Sequence, residues 1–387
     1  MSDSAFYWRP TRVAIAVYLA GSLGATGSAA PLQTDQFVGA AGCKSSSCHG
    51  GAGEKRSQYF TWVQQDFHGR AYAVLVDARS ARMAETLSLP AAQTSERCTV
   101  CHSPLQSVAP ARLAKTVRVD EGVSCESCHG AAGPWLRGHT RKDWSYATRV
   151  TAGMHDLRNF YVRANACVAC HQNLAPDLLK AGHPELIFEL DGQSVAEPEH
   201  WKDDDPARGP RAWLVGQAVA LREMSFALAQ NETVESESLT RWQGLAWLLA
   251  KATATQSRLP LIAPPGESTS RDLLVSVQQQ ADALARRAAV DPWNDVFAAT
   301  ALRALASADA DFVPAKNISA GLLFRRAQRL VLALDRLSRA TPQQPLGAPK
   351  NSALAPLFED LRLQADFQPA KFAADLVTFR TTIERSP

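Results

Sequence analysis

The sequence has no cysteine and no histidine after residue 200, although the chain runs to 387. Thiol chemistry and metal sites built on cysteine or histidine are thereby excluded from the second half. No lysine- or arginine-rich run occurs, and the net charge is only +3. That balance argues against a nucleic-acid or anionic-membrane partner. After the first 30 residues no apolar run is long enough to cross a bilayer. There is no alternation of strand and helix patterns of the kind that builds a parallel sheet.

Every cysteine that is present has a defined setting. The eight cysteines fall in four segments, each ending in Cys-His: Cys43 to Cys48-His49, Cys98-Thr-Val-Cys101-His102, Cys125-Glu-Ser-Cys128-His129 and Cys167-Val-Ala-Cys170-His171. The last three are the C-x-x-C-H pattern of c-type haem attachment, and the first has the same ends with a four-residue spacer. Ser45, Ser46 and Ser47 are small enough to bulge between its thiols. In such segments both thiols bond the haem and the adjacent histidine becomes an axial iron ligand. A zinc knuckle or a set of disulfides would not require a histidine after each second cysteine. Four covalently attached haem c groups are therefore expected.

The N-terminus reads as an export signal over residues 1–30. Arg9 and Arg12 precede the apolar stretch Val13 to Leu23, and Gly27-Ser28-Ala29-Ala30 offers a cleavage site. An uncleaved anchor is the other reading of that stretch. Export to the periplasm agrees with the cysteine pattern, since bacteria attach c-type haem outside the cytoplasmic membrane. The rest divides by composition into 31–201, with all the cysteines and histidines, and 202–387, with none. Lys202-Asp203-Asp204-Asp205-Pro206 reads as the junction.

The expected fold is mainly α. Short helices and loops wrap haems in 31–201, with one helix over Tyr59 to Arg79 carrying Trp62 and His68. A bundle of four to six helices follows in 202–387. Leu323, Ala327, Leu330, Leu334 and Leu337 mark one helix face, and Trp242, Leu245 and Leu249 a second. Ser268 to Ser270 offer caps for a helix through Leu274, Val277 and Leu284, and Asp291-Pro292 starts another. Pro264-Pro265-Gly266 and the stretch from Pro342 to Pro349 break the pattern. The bundle has no residue set for chemistry and reads as a docking or structural module.

Five of the nine histidines remain after the motif ligands His49, His102, His129 and His171: His68, His139, His155, His183 and His200. A second histidine saturates a haem iron and suits it to electron transfer, whereas an open position allows small-molecule chemistry. His68, His139 and His183 are expected as distal ligands. His155 and His200 are candidates as well, with a hydrogen bond to a haem propionate as their other role. Met83 and Met154 are alternative soft ligands or plain packing residues.

Several of these segments together resemble a known group. They are Gly42-Cys43 to Cys48-His49-Gly50, Trp62 with His68-Gly-Arg-Ala, Gly122-Val-Ser-Cys125-Glu-Ser-Cys128-His129-Gly130, Trp135-Leu136 with His139, and Ala181-Gly-His183-Pro184. The group is the tetrahaem cytochrome c of ammonia-oxidising bacteria, the cytochrome c five-fifty-four family, and its exported multihaem relatives. The similarity spans roughly Phe37 to Trp201. It implies periplasmic electron transfer through closely packed haems, mostly held between two histidines, with one that can lack a sixth ligand. It carries His68, His139 and His183 over as distal ligands. His200 with Trp201 resembles a family His-Trp pair, and His155 has no counterpart. The helical second half goes beyond the nitrifier protein, so nitrification is not implied.

The leading expectation is an electron carrier between redox proteins, periplasmic or membrane-bound, rather than a catalyst. The alternative is a multihaem oxidoreductase acting on a small nitrogen or sulfur species at an open haem, with His155, His200 or Arg163 as proton donor. A role as one subunit of a larger electron-transfer complex is compatible with the first.

Overall fold

Short elements dominate the first half because few of its residues can bury an apolar face. The computed structural model describes residues 35–201, 208–231, 234–254, 256, 258–263, 269–291, 295–313, 318–339 and 348–385. The expected signal segment and the Lys202–Pro206 junction lie outside these residues, as do Pro292, Pro264-Pro265-Gly266 and 342–347. Eight helices lie before the junction among the described residues. They are α1 (Gln58–Gln64), α2 (Ala78–Thr86), α3 (Glu96–His102), α4 (Cys125–His129), α5 (Tyr146–Thr151), α6 (Phe160–His171), α7 (Pro176–Lys180) and α8 (Leu190–Ala196). Turns and 3-10 segments join them, and among the described residues sheet structure is limited to one isolated bridge between Phe37 and Leu113.

The single helix expected over Tyr59 to Arg79 is instead broken. Helix α1 stops at Gln64, His68–Arg70 and Ala73–Val76 are 3-10 turns, and α2 starts at Ala78. Two aspartates cause the breaks by offering the backbone other partners. The Asp66 carboxylate accepts the His68 amide at 2.9 Å, and Asp77 caps α2 by accepting the Ser80 amide at 2.7 Å.

Seven helices follow the junction among the described residues, rather than the four to six expected. They are α9 (Arg208–Gln230), α10 (Ser236–Thr253), α11 (Arg271–Val290), α12 (Asp295–Ala306), α13 (Ala320–Arg339), α14 (Ala348–Glu359) and α15 (Pro369–Arg385). The expected faces of α10, α11 and α13 are buried, and the Ser270 hydroxyl caps α11 by accepting the Leu273 amide at 3.1 Å. Helix α9 is the centre. Its residues from Ala212 to Leu221 are all buried, with α11, α10 and α13 packed around it.

Packing does not break at residue 201. Phe160, Ala164 and Val168 of α6, with Phe188 and Leu190, share one core with the helices after the junction. Tyr161 of α6 donates its hydroxyl to Asp282 at 2.6 Å, and Arg222 bonds both groups. Ion pairs add to this seam: Arg325 with Glu185 at 3.0 Å, and Arg336 with Asp191 at 3.3 Å. Burial outweighs nearby Arg329 at Glu189 and pushes that carboxyl up to about 7.

Trp242 tests this core directly. It is fully buried and its Nε1 donates to Ser225 Oγ at 2.7 Å. Trp242→Ala is expected to cost about 3–5 kcal/mol, through cavity formation and loss of the hydrogen bond to Ser225, as a lowered thermal midpoint of the helical half.

Candidate haem-binding site

Three of the four motifs are built on helix ends. Cys98, Cys101 and His102 close α3, Cys125, Cys128 and His129 make up α4, and Cys167, Cys170 and His171 close α6. A spacing of three puts two thiols on one helix face, one turn apart, with the histidine next along. The first motif is a turn. The Cys48 and Gly50 amides donate to Ser45 O at 2.9 and 3.0 Å, and the His49 amide donates to Cys43 O at 3.2 Å. A Cβ on Gly50 would lie 1.8 Å from Lys44 O, so the bulged spacer needs glycine there.

All the motifs line one cavity of about 2310 Å³, together with Tyr59, Trp62, Met83, Met154, Trp135 and Trp201. None of the eight cysteines is paired in a disulfide. The Cys43 and Cys125 thiols lie within hydrogen-bonding reach of each other, as do those of Cys101 and Cys170. No sulfur joins a convergent metal-ligand cluster; among the described residues the one such group is Asp66, His68 and Glu197. A zinc-thiolate reading therefore has no geometry behind it.

Each motif histidine instead faces a second imidazole across the cavity. The ring centroids are 6.2 Å apart for His49 and His139, 6.0 Å for His68 and His171, 6.3 Å for His102 and His183, and 6.3 Å for His129 and His200. That gap is too wide for ring contact. With the ring radius removed at each end it admits one metal ion, with nitrogen bonds of about 2 Å on either side. Burial first, then the charges of His200, His49 and His155, lowers His129 to about 4. Its ring is neutral, as a ligand must be.

His200 thus joins the facing set and His155 does not. His155 Nδ1 hydrogen-bonds Cys128 O at 2.8 Å, its amide donates to His129 O at 3.0 Å, and its ring lies against Gly130. Gly130 has a φ of 81°, and a Cβ there would meet the His155 ring at 2.9 Å. The backbone of the third motif therefore holds His155 at its rim, and each motif imidazole is paired with a different histidine. Met83 and Met154 line the cavity, while each motif imidazole is faced by histidine.

Further groups orient the rings and were not singled out from sequence. His49 Nδ1 meets Gln58 Oε1 at 3.1 Å, His102 Nδ1 meets Ala71 O at 3.0 Å and His139 Nδ1 meets Leu136 O at 2.5 Å. His183 Nδ1 meets Pro184 O at 2.8 Å, and the Gln193 side-chain amide lies 3.2 Å from His171 Nδ1. His68 Nδ1 alone in this set meets a carboxylate, Asp66 Oδ1 at 3.1 Å. Burial is the largest single influence on the Asp66 carboxyl and raises it, but the side-chain and backbone hydrogen bonds of His68 and the nearby His68 and His200 charges together leave it lowered. The side-chain bond raises His68. Glu126, between the third pair of thiols, is also buried. Its carboxylate accepts amides from Val38 at 3.0 Å, Gly39 at 2.7 Å and Ala132 at 2.7 Å, and so ties three segments to that motif. A charged residue between two haem cysteines was the one available sequence signal for it.

Residues 42–130 match the family model described as Cytochrome c554 and c-prime. The matched stretch holds the first three motifs, and the fourth follows it. No curated protein and no solved structure matches the chain. The donor set fits covalently held haem c, and over residues 42–130 the chain is similar to the cytochrome c554 and c-prime family.

Proposed function

We propose that the chain is a periplasmic tetrahaem cytochrome that carries electrons between redox proteins. The observation behind this reading is the set of four facing imidazole pairs. Cys43 and Cys48 would hold a haem between His49 and His139, and Cys98 and Cys101 one between His102 and His183. Cys125 and Cys128 would hold one between His129 and His200, and Cys167 and Cys170 one between His171 and His68. Haem iron supplies reversible one-electron chemistry; the chain sets position, ligand and surroundings.

With two imidazoles at each centre, no iron position is left for a substrate, which favours carriage over catalysis at an open haem. The thiol contacts suggest an order for the row. The first motif touches the third through Cys43 and Cys125, the third approaches the fourth through Cys128 and Cys167, and the fourth touches the second through Cys170 and Cys101. The row would then present the first and second haems at its two ends to donor and acceptor. Export is part of the proposal. It accords with the N-terminal sequence; separately, no helix among the described residues is long and apolar enough to cross a membrane.

The test is a haem count with electron paramagnetic resonance of the oxidised holoprotein. Four haems per chain, all low-spin, and no carbon monoxide binding after reduction are expected. A high-spin ferric signal, or fewer than four haems, would overturn the reading.

A further inference from the structure

The environments of the facing histidines differ in one respect that the ligand set does not capture. An iron-bound imidazole carries its proton on the nitrogen facing away from the metal. The group accepting that proton decides how much negative charge the ring passes to the iron. For His49, His102, His139, His183 and His200 the atom at Nδ1 is a neutral oxygen, either a backbone carbonyl or the Gln58 amide. For His68 it is the Asp66 carboxylate at 3.1 Å.

Asp66 is only 6 % exposed, so its charge acts on the ring with little screening by water. The same carboxylate also accepts the His68 backbone amide at 2.9 Å, so the ring is held at both ends. Glu197 brings a second carboxylate into the cluster, with the ligand atoms of Asp66, His68 and Glu197 all within 4.8 Å of one another. Arg163 lies on the Glu197 side and offsets part of that charge, so Asp66 is the stronger influence.

Resting on the ligand assignment above, we propose that Asp66 makes the iron between His68 and His171 the lowest-potential centre of the four. A ring made more basic by a carboxylate stabilises ferric over ferrous iron. Asp66 is a positioning and tuning residue, acting on the iron through His68. The centre it governs stands inside the row rather than at an end, so an electron crossing the protein meets its steepest uphill step there. This gives the row a fixed internal barrier, set by one side chain.

The experiment is a spectroelectrochemical titration of the holoprotein and its Asp66→Asn variant, followed by electron paramagnetic resonance. Asparagine keeps an oxygen for the His68 backbone amide but removes the charge. The lowest midpoint is expected to shift upward while the other three stay in place, and one low-spin ferric signal changes its g values. An unmoved lowest midpoint, or movement of a higher one instead, overturns the proposal. Should D66N fail to mature with four haems, Glu197→Gln reads the same field without touching the ring. A smaller upward shift of the lowest midpoint then supports the proposal, and no shift overturns it. A high-spin signal in the parent would instead count against the ligand assignment, so the two failures are distinct.

Discussion

Produced without haem attachment, the chain is expected to give a protease-resistant fragment that begins just before Phe160, not near residue 202. Ordering a residue costs roughly 1–2 kcal/mol of conformational entropy, which apolar burial must offset. Ahead of α6 the separate buried cluster is small: Leu75, Ala84 and Ala92, with Tyr72, Leu89 and Cys98 against it. The remaining interior there is the cavity of about 2310 Å³. Without porphyrin that region has too little to bury, and it should be digested. Helix α6 differs, because Phe160, Ala164 and Val168 sit in the core formed with α9 and α11. Limited proteolysis with mass spectrometry of the fragment, and circular dichroism of what remains, checks this. A fragment starting after residue 201 would show that α6 owes its place to haem and not to the helical half.

Replacing His200 with alanine should open one iron and leave three closed. His200 faces His129 at 6.3 Å, and its Nδ1 lies 3.3 Å from Pro198 O, so the ring is pre-aimed by its own turn. Its removal leaves a cavity beside His129, and His155 stays held on the third motif's backbone, with its amide on His129 O and its ring against Gly130. The oxidised variant is expected to convert one haem in four to high spin, and the reduced variant to bind one carbon monoxide per chain where the parent binds none. His155→Ala is the control, and should leave every haem low-spin. A high-spin signal from His155→Ala, with none from His200→Ala, would reverse the assignment of these two residues.

The four Cys-His segments were legible because the proposed covalent attachment places two thiols and a histidine within a few residues of one another. The facing histidines were legible as a set, but their pairing was not. His49 meets His139 and His171 meets His68 only through tertiary structure. His155 and His200 looked equivalent in sequence. They are separated by Gly130, whose positive φ lets the His155 ring rest on the third motif. In the second half α10, α11 and α13 were readable because each has one apolar face. Helix α9 was missed for the opposite reason: from Ala212 to Leu221 it is buried all round, so no period shows. The break after α1 was missed because Asp66 takes a backbone amide that the helical pattern assigned elsewhere.

The buried Glu126 carboxylate has a bearing on biogenesis. Its amide partners at Val38 and Gly39 come 88 and 87 residues earlier in the chain. A polypeptide made from its N-terminus therefore exposes the first pair of thiols long before the anchor for that stretch exists. Through this interval the turn around Cys43 and Cys48 has only its local hydrogen bonds, and the long closure onto Glu126 comes later. The enzymes that attach haem would meet that first site as an open peptide, and its final shape would be set only when the third site arrives.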